Sequence, residues 1–128
     1  MTAEELWAKA RPYLEAALEH SNGTHHVDDL PPMFQNAELQ LWVGERCVAV
    51  SEFLNFPRKR RLNVFLAGGD LSEMRAMRPG VEAFARANLC DGVMFSGRAT
   101  EAVKRTSGWG RASGYEPTHV CFIKDFSA

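Results

Sequence analysis

The chain has 128 residues, 45% hydrophobic and 24% charged, with a formal net charge of −1, values typical of one soluble globular domain large enough to bury a core. No apolar run approaches the ~18 residues of a membrane span, and Glu4 and Glu5 without an early base do not make a signal peptide, so we expect a cytoplasmic protein. Three cysteines, an odd number with no C-x-x-C spacing, argue against both a disulfide framework and a zinc site.

An amphipathic helix is predicted at the N-terminus. Thr2 and Glu5 have the spacing of a capping box, and the pattern extends to about His20. Pro12 falls inside this pattern, so either the helix kinks there or Pro12 opens a second segment. The apolar positions recur every four residues: Leu6, Ala10, Leu14 and Leu18.

The hydrophobic period changes after this helix. Residues 24–34 predict a short helix or turn interrupted by Pro31-Pro32. Alternation then predicts strands over residues 39–43, 47–56 and 61–67, which would form a three-stranded antiparallel meander.

A crossover follows the meander. The apolar run ends at a Gly68-Gly69 break, a capped helix is predicted over residues 70–88, and a short strand over residues 92–96. Two strands joined through a helix should be parallel, with a right-handed connection. Ligands of such sheets usually bind at the carboxyl ends of the strands, beside the helix N-terminus, which here means residues 68–71 and Gly97-Arg98.

A helix over residues 99–105 and a strand over residues 118–126 complete the predicted order α, α, β, β, β, α, β, α, β. This order, with the turn at residues 114–117 and the ending Lys124-Asp125-Phe126, resembles the GNAT (GCN5-related N-acetyltransferase) superfamily. More narrowly, the run over residues 64–71, with Ser96-Gly97-Arg98 and residues 119–121, resembles small GNAT-like proteins of phages and prophages.

The resemblance covers residues 38–126 and implies an α/β, GNAT-like fold. Its central sheet would be mixed, mostly antiparallel, with five or six strands and a parallel βαβ crossover, flanked by helices. We expect one domain over residues 1–128: N-terminal helices (1–37), the meander (38–67), and the crossover helix, parallel strand, helix and closing strand (68–128).

The segment at the head of the crossover helix departs from the family pattern. Active GNATs carry Q/R-x-x-G-x-G/A there, whose N–H groups hold the coenzyme A pyrophosphate, whereas residues 67–73 here have no leading Gln or Arg. Asp70 and Glu73 would form a capping box with those N–H groups and repel the pyrophosphate, so we expect coenzyme binding to be weak or lost. The resemblance assigns any coenzyme that does bind to Gly68, Gly69, Asp70, Leu71 and Arg98.

Glu52 is the candidate catalytic residue. Alternation places it on the apolar face of its strand, with Val48, Val50 and Leu54, where a carboxylate could take the proton from an amine nucleophile. In the alternative interpretation, Glu52 forms a salt bridge with one of the bases at residues 58–61.

Two further clusters carry less specific signals. His25, His26, Asp28 and Asp29 are metal-compatible residue types, but their adjacent spacing fits no standard site, so we predict no metal. The basic turn at residues 58–61 could contact phosphates, but a sequence pI of about 6.4 and the lack of interleaved aromatics argue against nucleic acid.

Charge is unevenly distributed. Residues 1–38 contain seven acids and two bases, a net charge of −5, which leaves +4 for the remainder. The basic surface could therefore meet an acidic surface, such as the first helix of a neighbouring copy or another protein.

Two functions remain open, so the sequence does not decide whether the chain is an enzyme. In the first, it is a non-catalytic, phage-type GNAT-like module without a cofactor, which binds protein in a virion or host complex. In the second, it is an acetyl-CoA-dependent N-acyltransferase with Glu52 as the base. Neither function involves a membrane.

Overall fold

The computed structural model describes residues 1–19, 23–96, 114–115 and 122–126. Within these residues no helix is long and apolar enough to cross a membrane. The elements, in chain order, are α1 (Ala3–Leu18), a short 3-10 helix (Val27–Asp29), α2 (Leu30–Gln35), β1 (Leu39–Val43), β2 (Cys47–Asn55), β3 (Arg60–Gly69), α3 (Leu71–Ala87) and β4 (Gly92–Phe95).

The strands form a mixed sheet in the order β1-β2-β3-β4. β1 pairs with β2 and β2 with β3 in antiparallel register, whereas β3 and β4 are parallel, with α3 between them in the chain. The predicted meander and parallel pair are thus confirmed; the handedness of the crossover stays a prediction.

Most of the predicted C-terminal elements cannot be compared with the structure. The predicted helix over residues 99–105 lies outside the described residues, as does the first part of the strand predicted over residues 118–126. Residues 122–126 are described and have no strand pairing, so this part of the prediction is wrong. Within the described residues the sheet has four strands and not five or six.

Helix α1 begins as predicted. The Thr2 hydroxyl accepts the backbone N–H of Glu5 at 3.1 Å, which satisfies one of the donors at the helix start. The helix then runs through Pro12 as one element, so the alternative in which Pro12 opens a new segment is wrong.

The segment before β1 also differs from its prediction. Pro31 and Pro32 lie in the first turn of α2 and do not interrupt a helix. A proline is tolerated there because its missing N–H would have had no helical partner.

Two apolar layers cover the two faces of the sheet. On one face, Ala10 and Leu14 of α1 contact Val48, Val50 and Leu66, all less than 8% exposed. On the other face, Val81 and Ala85 of α3 pack with a second cluster of strand residues: Ala49, Leu62 and Val64. We call these the α1 face and the α3 face.

A bulge interrupts the alternation of β3. The pairing register shifts so that Val50 lies opposite Leu66 while Ser51 lies opposite Val64, which leaves Phe65 as the extra residue. Phe65 and Leu66 consequently both pack on the α1 face, although they are consecutive in the chain.

Candidate functional site

The corner where β3 meets α3 was the first predicted ligand site. β3 continues through both glycines to Gly69, so the predicted break at Gly68-Gly69 is wrong. A Cβ on Gly68 would lie 3.0 Å from the carbonyl oxygen of Tyr13, and a Cβ on Gly69 would overlap the carbonyl of Arg46. Gly69 also has φ of 106°, which disfavours other residues. Both glycines therefore leave room for backbone of this chain itself, that of Tyr13 at Gly68 and that of Arg46 at Gly69.

Asp70 occupies the N-terminus of α3. Its Oδ1 accepts the backbone N–H groups of Ser72 at 2.8 Å and Glu73 at 3.4 Å, which is an N-cap. Its Oδ2 lies 3.3 Å from the guanidinium of Arg46. The carboxylate thus uses donors that an anionic ligand would need.

Glu73 forms only half of the predicted capping box. Its carboxylate does not return to the N–H of Asp70, which instead donates to the carbonyl of Arg46 at 2.9 Å. Both Glu73 oxygens accept the backbone N–H of Arg46, at 3.0 and 3.2 Å. This hydrogen bond is the main reason why the pKa of Glu73 is lowered.

These contacts test whether the corner fits a coenzyme pyrophosphate. A polyanion at a helix N-terminus needs available N–H groups and a positive potential. Here the N–H groups of Ser72 and Glu73 bind Asp70, and Arg46 faces two carboxylates. The residues present do not fit a coenzyme pyrophosphate.

Two other residues were assigned to the coenzyme by the sequence resemblance. Leu71 begins α3 and is 40% exposed, and Arg98 lies outside the described residues.

Glu52 lies on the α1 face, in the strand register that places it opposite Leu39. Its Oε2 accepts a hydrogen bond from Nδ2 of Asn63 at 3.2 Å. The Oδ1 of Asn63 in turn accepts the Ser96 hydroxyl at 2.7 Å, and Asn63 is only 6% exposed. The three side chains form a polar row across β2 and β3 to the end of β4.

The alternative salt bridge of Glu52 with a nearby base is not formed. Within the described residues, Glu52 makes no ion pair with the bases at residues 58–61. Arg60 bonds to the carbonyl of Asn88 and lies 4.2 Å from the ring of Phe53, and Arg61 lies over the ring of Phe56. β2 ends at Asn55, so Phe56 belongs to the turn and not to the strand as predicted.

The polar row lies at the end of the described pairing between β3 and β4. The N–H of Ser96 donates to the carbonyl of Val64 at 2.9 Å, and no strand pairing of β3 with β4 is described beyond that point. Asn63, Ser96 and Arg46 are not among the predicted site residues. Asn63 could have been noticed, because a polar residue in the apolar run 62–67 needs a partner.

The histidine pair has structural contacts. Nδ1 of His26 accepts the N–H of Asp28 at 3.1 Å, and Asp29 accepts the N–H of His26 at 2.8 Å, which caps the 3-10 helix. The His25 ring lies 5.6 Å from the ring of Phe65. No cluster of three or more metal-compatible side chains occurs in the part of the chain that the structure describes.

Tyr115 lines a groove on the α3 face together with Val64, Met74, Val81 and Phe95 among others. Burial is the main reason why its pKa is raised to about 12. This groove lies across the sheet from the polar row.

No protein-family model matches the sequence, and no curated protein matches it significantly. Solved structures do match over nearly the whole chain. One is a probable acetyltransferase, with 11% identity, a TM-score of 0.67, and 100% of this chain and 96% of that chain covered.

Two further structures agree with this likeness. An aminoglycoside acetyltransferase from an uncultured soil metagenomic sample, solved with sisomicin, has 14% identity and a TM-score of 0.65, with 98% of this chain and 93% of that chain covered. A tetramutant of a Bacillus halodurans protein has 9% identity and a TM-score of 0.65, with 98% and 97% covered. At these identities the likeness concerns the fold alone, which this chain shares with the two acetyltransferases.

Proposed function

We propose that this chain is a non-catalytic protein-binding module built on an acetyltransferase-type fold. The observation that carries the proposal is the position of the Asp70 carboxylate, which caps α3 with the N–H groups of Ser72 and Glu73. A pyrophosphate would have to displace this carboxylate and approach Glu73 as well, and the like charges would repel each other. A virion or host complex as the setting rests on the sequence resemblance to phage proteins alone.

A second function, N-acyl transfer to an amine, is favoured by the polar row and by the acetyltransferases of similar fold. Glu52 would accept the proton of the attacking amine, and Asn63 would hold its carboxylate in place. Because the α3 corner does not fit the coenzyme, this function needs phosphate contacts from other residues.

A calorimetric titration separates the two functions. Acetyl-CoA and CoA are titrated into the wild type, Asp70→Ser and Asp70→Ala. We expect no binding by the wild type and binding by Asp70→Ser, because serine keeps a neutral cap on α3 while the charge is removed. Asp70→Ala tests whether exposing the N–H groups strengthens this binding.

Glu45→Gln is the matched control. It removes one negative charge from the neighbouring β1–β2 turn, where Glu45 is exposed, without opening the helix N-terminus. Binding of acetyl-CoA at micromolar concentrations by the wild type would refute the proposal. Acetyl transfer to an amine that is lost in Glu52→Gln would then establish the second function.

A further inference from the structure

Helix α3 is followed by a leucine in a backbone conformation that leucine rarely adopts. The N–H of Cys90 donates to the carbonyl of Ala85 at 2.9 Å, and the N–H of Leu89 to that of Arg86 at 3.1 Å. This hydrogen-bond pattern is a Schellman motif, whose left-handed position normally holds glycine. Here Leu89 holds it, with φ of 61°.

Leu89 gains little packing in return for this conformation. It is 84% exposed, so within the described part of the chain burial offsets neither the strain nor the exposed apolar surface. An exposed leucine by itself needs no explanation. An exposed leucine in a conformation that glycine adopts more easily indicates a role outside the folded monomer.

The charged side chains near Leu89 are mostly basic, with Asp91 as an exposed acid among them. Arg60 joins the β2–β3 turn to the end of α3, since its Nε donates to the carbonyl of Asn88 at 3.2 Å and its N–H to Asp91 at 2.8 Å. This contact brings the exposed bases Arg58 and Lys59 to the same end of the molecule as Leu89. Two further residues belong to this surface, which we call the basic end: exposed Arg86 and half-exposed Phe56.

The opposite charge lies on the N-terminal elements. All seven acids of residues 1–38 are exposed, and we call their surface the acidic face. Within the described residues the only arginine that pairs with any of them is Arg11, which contacts Glu15 and Asp28. The first turn of α1 presents Glu4 and Glu5 beside exposed Ala3 and Ala8, which combines charge with apolar surface.

We infer that the basic end of one molecule binds the acidic face of a second copy, with Leu89 as the apolar contact at the centre. The charges are complementary, and no ion pair joins the two surfaces within the described part of one chain. Because the two surfaces are different, the association is either a reciprocal dimer, in which each copy offers both surfaces to the other, or a head-to-tail contact that leads to rings or open chains. A second copy of this chain would then be the partner in the proposed binding role, and the biological meaning of the contact rests on that role. Coenzyme titration and association are separate experiments, so failure of one is distinguishable from failure of the other.

Sedimentation equilibrium of the full chain over a range of concentrations and salt tests the inference. At low ionic strength we expect the weight-average mass of the wild type to rise above the 14.3 kDa monomer with concentration. At ~0.5 M salt it should return to the monomer value, because exposed charges are then screened. Leu89→Gly should weaken the association about tenfold or more, since it removes the apolar contact.

Ala37→Gly is the matched control for Leu89→Gly. Ala37 has φ of 59° and ends α2 with the same pair of hydrogen bonds, so glycine relieves the same kind of strain without removing Leu89 or any charge of the acidic face. Ala37→Gly should leave the association unchanged. An equal effect of the two substitutions, or a wild type that stays monomeric at every concentration and salt, overturns the inference.

Charge reversal gives an independent test. Arg58→Glu with Lys59→Glu, and separately Glu4→Lys with Glu5→Lys, should each abolish self-association. Mixing the two variants should restore a complex, because each then presents the charge that the other needs. Failure of the mixture to associate contradicts the assignment of these two surfaces.

Discussion

At the scale of single residues, Arg46 organises the α3 corner. Its backbone N–H binds the Glu73 carboxylate, its carbonyl accepts the N–H of Asp70, and its guanidinium lies 3.3 Å from the Asp70 carboxylate. One residue of the β1–β2 turn thus satisfies both acids at the start of a helix. This arrangement explains why two carboxylates can lie together where the fold would otherwise attract an anion.

Glu73→Gln should change how stability depends on pH. The folded chain lowers the pKa of Glu73, chiefly through the N–H of Arg46, so folding favours the ionised form. The resulting stabilisation is fully present above the ordinary glutamate pKa and is lost as the pH falls through the lowered value. We expect the melting temperature of the wild type to exceed that of Glu73→Gln at pH 7, and this difference to shrink at acidic pH.

Thermal melts of both proteins between about pH 7 and pH 3 measure this difference. Glu45→Gln, at an exposed acid of the same turn, controls for general effects of charge. A difference between wild type and Glu73→Gln that stays constant across this range would contradict the assignment.

At the scale of elements, the placement of α1 on the sheet depends on a missing side chain. Leu14 and Ala10 are fully buried against β2 and β3, and Gly68 allows the backbone of α1 to approach closely. A glycine that the sequence suggests for phosphate binding thus serves helix–sheet packing here.

Gly68→Ala should destabilise the fold by about 1–3 kcal/mol, because the new Cβ would lie 3.0 Å from the Tyr13 carbonyl oxygen and force the backbone of α1 to shift by a few tenths of an ångström. Urea unfolding measures the change. Gly92→Ala is the matched control, since nothing lies within 4 Å of its added Cβ, and it should be neutral or stabilising by up to about 1 kcal/mol. Equal losses in both variants would exclude the packing explanation.

At the scale of the whole molecule, β2 links the two apolar layers. Its residues from Cys47 to Ser51 are buried, with Val48 and Val50 in one layer and Ala49 in the other. The two layers share this strand, so we expect them to unfold together.

Cys47 should report this global unfolding. Its side chain is 1% exposed, and burial is the main reason why its pKa is raised to about 12, with the Glu73 carboxylate adding to the effect. In a protein with Cys90 and Cys121 replaced by serine, alkylation at pH 8 should be slow until urea unfolds the chain. Mass spectrometry follows the labelling.

Cys90 provides the comparison, because it is only partly buried. As the sole cysteine, with Cys47 replaced by alanine, it should react faster in the folded protein. Native-state labelling of Cys47 at the rate of Cys90 would show that β2 opens without global unfolding.

Local sequence patterns were enough to predict most of the described helices and strands. The Thr2 and Asp70 caps and the alternation in the strands depend only on neighbours within one element, and the parallel pair followed from the helix predicted between β3 and β4. The same alternation correctly placed Glu52 on the apolar face of β2, because the bulge residue lies in β3 and not in β2. The sequence resemblance also named the fold that the solved structures support.

The hydrogen-bond partners of the candidate site residues could not be predicted from local patterns. Glu73 binds the backbone of Arg46, 27 residues away, and Glu52 binds Asn63 and not an arginine of the adjoining turn. Phe65 becomes the extra residue of a bulge that no local pattern marks. These outcomes depend on strand register and on how the turn approaches α3, which arise from packing between distant segments and leave no periodic signal in the chain.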